Sequence, residues 1–302
     1  MTAPSSPSDI QSTKAAQLWV TAMPGIFVLL WSTGFIGAKF GLPYAEPFTF
    51  LLWRFAILTL LLGAVAVLMK APWPSPKEAG HTALIGLLVH GAYLGGVFAA
   101  ISYGIPAGVA ALIVGTQPIL TALGAGPLLG ERVTGRQWLG LLLGLGGVVL
   151  VCARKLNFES TDLYGITACL IALVGITFGT LYQKRHGGTM DLRSGSAIQF
   201  AASALFMAVL ATTTETMQVQ WTGEFIFALA WLVVVLSVGA ISLLFILIKR
   251  GAASKVASLF YLVPPVTAVV AFFLFDETLG GLALAGMGLA VVGVALVVGK
   301  QK

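Results

Sequence analysis

Ala107 to Val151 aligns without a gap onto Ala253 to Val297, and 15 of the 45 positions carry the same residue, where composition alone would give roughly a tenth. The shared residues include Pro118 with Pro264, Thr121-Ala122 with Thr267-Ala268, Glu131 with Glu277, Gly140 with Gly286, and Gly147-Val148 with Gly293-Val294. The front parts of the halves align more weakly, pairing Gly34 with Gly179, Lys39 with Lys184, Arg54 with Gln199 and Phe55 with Phe200. A segment written twice folds twice, so each half is expected to build the same set of elements.

Composition says in which solvent. With 58% hydrophobic and 9% charged residues and a mean hydropathy of +0.97, the chain is far from the soluble average of about 25% charged. It reads as an all-α integral membrane protein, because a helix satisfies its own backbone polar groups where no water can. Apolar runs of the roughly 20 residues needed to span a bilayer are expected at about 18–40, 47–69, 81–103, 107–129, 136–153, 162–183, 194–213, 225–248, 254–275 and 280–298. That makes ten transmembrane helices, five in each half. An odd number per half threads the two copies in opposite directions, the arrangement of inverted-repeat transporters.

Residues 1–16, rich in Ser and Pro, read as a disordered cytoplasmic tail, residues 17–155 as the first repeat and residues 160–299 as the second. The first apolar run is too long for a signal-peptide core and is expected to stay as helix 1. The connections are short, so the function is expected within the membrane.

Basic residues are held on the cytoplasmic side during insertion. With the N-terminus inside, the inner segments carry Lys14, Lys70, Lys77, Arg132, Arg136, Lys184, Arg185, Arg193, Lys249, Arg250, Lys255, Lys300 and Lys302, against Lys39, Arg154 and Lys155 outside. Both termini are therefore expected in the cytoplasm. The duplicated segment agrees: its first turn, Gly130-Glu131-Arg132 through Arg136, is basic, whereas Asp276-Glu277-Thr278-Leu279 has no Lys or Arg. The net charge of +6 is mostly this bias, and no nucleic-acid partner is expected.

The run WSTGFIGAKFGLPYAEPFTFLLWRFA (Trp31 to Ala56), then TQPILTALGAGPLLGE around Pro118 and its second version VPPVTAVVAFFLFDE, resembles the two EamA-type repeats of the drug/metabolite transporter superfamily over nearly the whole chain. The resemblance implies two inverted-topology five-helix repeats around a central substrate cavity, alternating access, and export of amino acids or other small metabolites. Fold analogy names no cargo. The leading expectation is efflux of amino acids or related metabolites across the cytoplasmic (inner) membrane; the alternative is export of nucleobase-like, anionic or toxic drug-like compounds.

Cargo contacts are sought among polar groups inside the membrane, where each is costly and faces the bundle interior or a water-filled cavity. No Asp or Glu lies near a helix centre, which counts against a proton-driven cation pump. Arg54 either attracts an anionic cargo group or reaches to the outer interface, and its counterpart Gln199 is neutral. His90 and Tyr93 are expected on one face of helix 3, where His90 titrates in the cavity or bonds a neighbouring helix. Pro118 and Pro264 remove backbone donors in helices 4 and 9 and are hinge candidates. Beside them stand Thr116 and Gln117 in one repeat and Phe260 and Tyr261 in the other.

Trp31, Gly34 and Phe35 on helix 1 and Thr177 and Thr180 on helix 6 are expected as facing cavity walls, with packing roles as the alternative. Lys39 and Lys184 mark the two mouths or anchor at the interface. The glycines of helices 5 and 10 form small-residue faces for packing within the chain or for a homodimer. Cys152 and Cys169 have no metal-ligand spacing, and no cofactor is expected. An enzyme would need paired carboxylates, a metal cluster or a Ser-His arrangement in the spans, and a primary pump a phosphate loop; the sequence has neither.

Overall fold

The computed structural model of the protein describes residues 7–105, 110, 113–152, 163–188, 190–275 and 280–299. They form α1 (Pro7–Gly41), α2 (Pro47–Leu68), α3 (Pro76–Ser102), α4 (Gln117–Leu129), α5 (Gly135–Cys152), α6 (Leu163–His186), α7 (Leu192–Thr214), α8 (Gly223–Arg250), α9 (253–275) and α10 (Gly281–Val298). There is no strand among the described residues, only one isolated bridge between Ala45 and Val219.

Six of these helices, α2, α3, α6, α7, α8 and α10, are long and apolar enough to cross a membrane. Their outer faces are those of a membrane protein, with Leu60 75%, Leu68 81% and Leu205 71% exposed. One expectation is corrected: α1 begins at Pro7, inside the segment read from its Ser and Pro content as a disordered tail. The expected turn Asp276–Leu279 and the basic residues Arg154 and Lys155 lie outside the described residues, as do the side chains of Phe35 and Lys39.

Helix boundaries follow local chemistry. Pro47 and Pro76 open α2 and α3, where a missing N–H costs nothing. Ser75 and Glu78 form a capping box at the start of α3. Gly130, with φ +69°, closes α4 in a left-handed conformation that glycine adopts without strain. Asp191 caps α7, and its hydrogen bonds with Arg193 hold its carboxyl down at about 2.

Two irregularities recur in both halves. A π-helical turn occupies Leu87–Ala92 in α3 and Leu232–Ala240 in α8, beginning at corresponding positions of the duplicated chain. A turn at residues 115–116 precedes Pro118, and a 3₁₀ segment, Leu259–Leu262, precedes Pro264. A proline withholds its N–H and crowds the carbonyl four residues earlier, so the backbone ahead of it departs from the α-helix.

Packing between the halves is reciprocal. A Cβ on Gly140 would stand 2.6 Å from the Gly293 carbonyl oxygen, and one on Gly293 2.6 Å from that of Gly140; Gly147 and Gly286 are paired in the same way, also at 2.6 Å. Since Gly140 corresponds to Gly286 and Gly147 to Gly293, each contact maps onto the other. The small-residue faces of α5 and α10 are thus covered within the chain. α2 and α7 also pair, with the corresponding rings of Phe55 and Phe200 stacked at 5.8 Å.

Hydrogen bonds knot both ends. At the end carrying Glu46, Glu215 and Glu224, the Glu215 carboxylate accepts from the backbone N–H of Phe48 (2.7 Å) and Thr49 (2.6 Å), and Glu46 from that of Thr216 (2.7 Å). At the opposite, basic end, Glu131 accepts from Ala253 N–H (3.1 Å), capping α9. Lys184 Nζ donates to the carbonyls of Ile248 (3.0 Å) and Gly251 (2.6 Å), clamping α6 to the α8–α9 connection.

Candidate functional site

An apolar cavity lies between α1, α2, α3 and α8, toward the acidic end, and holds about 500 Å³ of space free of atoms, the part open to solvent included. α1 supplies Trp31, Gly34 and Ala38, a spacing that puts them on one helical face. α2 contributes Arg54, α3 contributes Tyr93, Val97 and Phe98, and α8 contributes Leu236 and Ile241. A second compartment shares Trp31, Tyr93 and Val97 and is completed by Val114 and Gly115 from the first half and Phe260, Val263 and Pro264 from α9.

The walls are aromatic. Trp31 stacks on Tyr93 with centroids 6.2 Å apart and planes at 13°, and meets Phe260 edge to face at 5.1 Å and Phe27 at 5.2 Å. Such contacts fix ring orientation beyond what burial alone does.

Arg54 is the single charge on this lining. Its side chain is 1% exposed, so it does not reach out to the interface. Nε and Nη2 donate to Ser237 Oγ at 3.0 and 2.9 Å, and the Ser237 hydroxyl in turn donates to the Leu232 carbonyl, 3.0 Å away and five residues back in the π turn of α8. Among the described residues no carboxylate lies within ion-pair distance of the guanidinium. Ser237 escaped the sequence reading. The signal was one of only two hydroxyls, with Ser242, in the long apolar stretch of a helix whose repeat counterpart carries His90.

Of the expected contacts and walls, the structure brings Trp31, Gly34, Arg54 and Tyr93 together on the cavity, with Phe260 and the hinge candidate Pro264 on its second compartment. His90, Thr116, Gln117, Pro118, Thr177, Gln199 and Tyr261 line neither. His90 is fully buried against Phe200, stacked at 4.5 Å, with Phe55 at 6.0 Å, and neither ring nitrogen has a hydrogen-bond partner. The π turn separates it from Tyr93: each residue there advances by less than the roughly 100° of an α-helix, so positions three apart no longer share a face.

Gln199 is buried behind His90, donating to Gln183 Oε1 at 3.4 Å and to Met190 Sδ at 3.3 Å. Tyr261 points at α5, where a Cβ on Gly144 would stand 2.4 Å from its ring. Thr177 donates to the Leu173 carbonyl at 2.7 Å and Thr116 to that of Ile113 at 2.7 Å, each within its own helix or turn. Gln117 donates to Thr121 at 3.2 Å, and Pro118 is buried in the first turn of α4. The facing wall expected from α6 is occupied by packing: Gly175 and Gly179 press on Ala92 and Val89 of α3. Among the described residues no three His, Cys, Asp or Glu side chains are grouped as metal ligands would be.

Residues 21–153 and 163–299 each match the EamA-like transporter family, one match per half of the duplicated chain. A Bacillus subtilis protein, the uncharacterised transporter YvbV, is 30% identical over 280 residues, covering 91% of this chain and 90% of that one. An Escherichia coli protein named "probable amino-acid metabolite efflux pump" is 27% identical over 89% of this chain and 91% of its own length. The E. coli inner membrane transporter YedA is 25% identical over 89% of this chain and 87% of its own. A solved crystal structure superposes with a TM-score of 0.76 over 92% of this chain and 96% of the other, at 22% identity, which is a likeness of fold. A helical bundle with an embedded cavity, matched to one transporter family along almost its whole length, is a multi-pass membrane transporter and not an enzyme, and the chain belongs to the EamA-like transporter family.

Proposed function

We propose that the protein is a secondary carrier that exports small metabolites, amino acids or compounds related to them, across the cytoplasmic membrane by alternating access. The observation that carries this reading is the cavity built jointly by both halves: α1, α2, α3 and the turn before α4 contribute Trp31, Arg54, Tyr93 and Gly115, and α8 and α9 contribute Leu236 and Phe260. A site shared between two repeats is where relative movement of the repeats changes access.

In this reading the ten helices are ten spans in two inverted five-helix repeats. The reciprocal glycine contacts of α5 with α10 support that arrangement, as do the π turns at corresponding positions of α3 and α8. The excess of Lys and Arg at one end supports the reading that this end, with both termini, faces the cytoplasm. The cavity then lies toward the outside, while Glu131 and Lys184 tie the cytoplasmic end together. The backbone breaks ahead of Pro118 and Pro264 are where α4 and α9 would bend. The name of the E. coli relative supports an amino-acid-related cargo.

The test is counterflow in proteoliposomes of the purified protein, preloaded with amino acids, nucleobases or organic acids, with and without a pH gradient. Saturable exchange of one class is the expected result. Leakage without saturation, or no exchange by folded protein, would reject the carrier.

A further inference from the structure

We infer that the cargo is an organic anion, a carboxylate carrying one apolar or aromatic group, with Arg54 as its anion site. The inference rests on the carrier reading above and narrows its cargo.

Arg54 carries an unbalanced charge. A guanidinium has five N–H donors and no acceptor, and Arg54 hands two of its nitrogens to the single Ser237 hydroxyl. Nη1 makes no hydrogen bond with the described residues, and no carboxylate among them neutralises the charge. A cation 1% exposed in a membrane bundle is costly unless something pairs with it. The side chain lines a cavity, so a ligand there can supply the missing partner. A carboxylate matches the planar fork of a guanidinium through two parallel N–H···O bonds.

The remaining lining decides what else the cargo bears. Around Arg54 stand Trp31, Tyr93, Phe98, Val97 and Leu236, and the adjoining compartment adds Phe260. These surfaces suit an aromatic or branched apolar group. They offer no carboxylate to an ammonium, and Arg54 repels one. An amino group on the cargo would meet ring faces, whose attraction for a cation is modest, but no carboxylate, and it would stand beside the Arg54 charge after losing its hydration. A free amino acid fits this cavity worse than the same skeleton without its amine.

Three probes on one skeleton separate the cases: 3-phenylpropanoate (anion), L-phenylalanine (zwitterion) and phenethylamine (cation), each titrated calorimetrically into the purified full chain and tested for counterflow in proteoliposomes. The expected result is binding of 3-phenylpropanoate, with the other two weaker by about tenfold or more. Arg54→Gln should weaken the anion by roughly ten- to hundredfold, the range for hydrogen bonds to a charged group. If Arg54→Gln does not fold, Arg54→Lys is read instead, with a severalfold loss from replacing the fork by a point charge.

The assignment is overturned if phenylalanine or phenethylamine binds as well as the propanoate, if the variant read binds the anion as tightly as the parent, or if folded parent binds none of the three. The two proposals fail differently. Binding of 3-phenylpropanoate without counterflow leaves the anion site standing and rejects the carrier, whereas counterflow of phenylalanine alone does the reverse.

Discussion

Arg54 on α2 and Gln199 on α7 are the same position of the duplicated sequence, followed in both copies by a phenylalanine, and the two phenylalanines stack on each other. The polar residues before them have diverged. Arg54 faces open space and the Ser237 hydroxyl. Gln199 is sealed among Gln183, Met190 and the neighbourhood of His90, with its own Oε1, Gln183 Nε2 and both His90 nitrogens unpaired.

Close backbone approach explains the difference. A Cβ on Gly86 of α3 would stand 2.4 Å from the Gln199 carbonyl oxygen, whereas the corresponding residue of α8 is Trp231, whose indole N–H donates to Thr33 of α1 at 3.0 Å; without a glycine there, α8 lacks the surface that lets α3 close on its partner helix. Duplication thus kept the scaffold contacts and left one chamber open for a charge and the other closed around neutral amides.

The comparison is broken most severely by Gln199→Arg. A cation there would be buried without a partner, a change that typically costs about 3–5 kcal/mol, and thermal unfolding of the purified variant should show a large drop or no folded protein at all. A variant that folds like the parent would mean the second chamber is as open as the first. Next comes Gly140→Val, which overpacks the α5–α10 contact by about 1–3 kcal/mol and should lower the unfolding temperature. Gly288→Val, with nothing within 4 Å of an added Cβ, is the matched control. Equal effects at both positions would undermine the reciprocal packing of α5 on α10.

Ser237→Ala removes the hydroxyl that holds the guanidinium and should weaken 3-phenylpropanoate by several-fold, about 1 kcal/mol, measured by the same titration. An unchanged constant would show that the cavity alone positions Arg54. The smallest effect is expected from His90→Phe. A ring with two unpaired nitrogens, stacked on Phe200, gives up no hydrogen bond, so stability should stay within about 1 kcal/mol or rise, with transport retained. Loss of transport by well-folded H90F would place His90 on the cargo path after all.

Much of the bundle was legible from residues alone. The apolar runs located the helical segments, because only helices satisfy an isolated backbone in lipid. The shared prolines marked the places where α4 and α9 leave α-helical geometry. The start of α1 was misplaced, because Ser and Pro content suggested disorder where the structure has helix from Pro7. Trp31, Arg54 and Tyr93 stood out because aromatic and charged residues inside a membrane are few, and all three line the cavity. His90, Gln199 and Tyr261 were expected beside them for the same reason and line neither compartment: a π turn alters the helical phase between His90 and Tyr93, Gly86 closes on the Gln199 backbone, and the Tyr261 ring packs on Gly144 of α5, contacts that no local spacing encodes.

What the sequence determined by itself was the solvent, the helical class, the duplication and the short inventory of buried polar side chains. These are properties of composition and local spacing. Only the tertiary structure decided which of those side chains share a cavity, that Ser237 holds Arg54, and that the glycines of α5 and α10 face each other inside the chain. Those outcomes depend on the rotation and separation of helices distant in sequence, which are set by how closely backbones can pack and not by any one helix's own pattern.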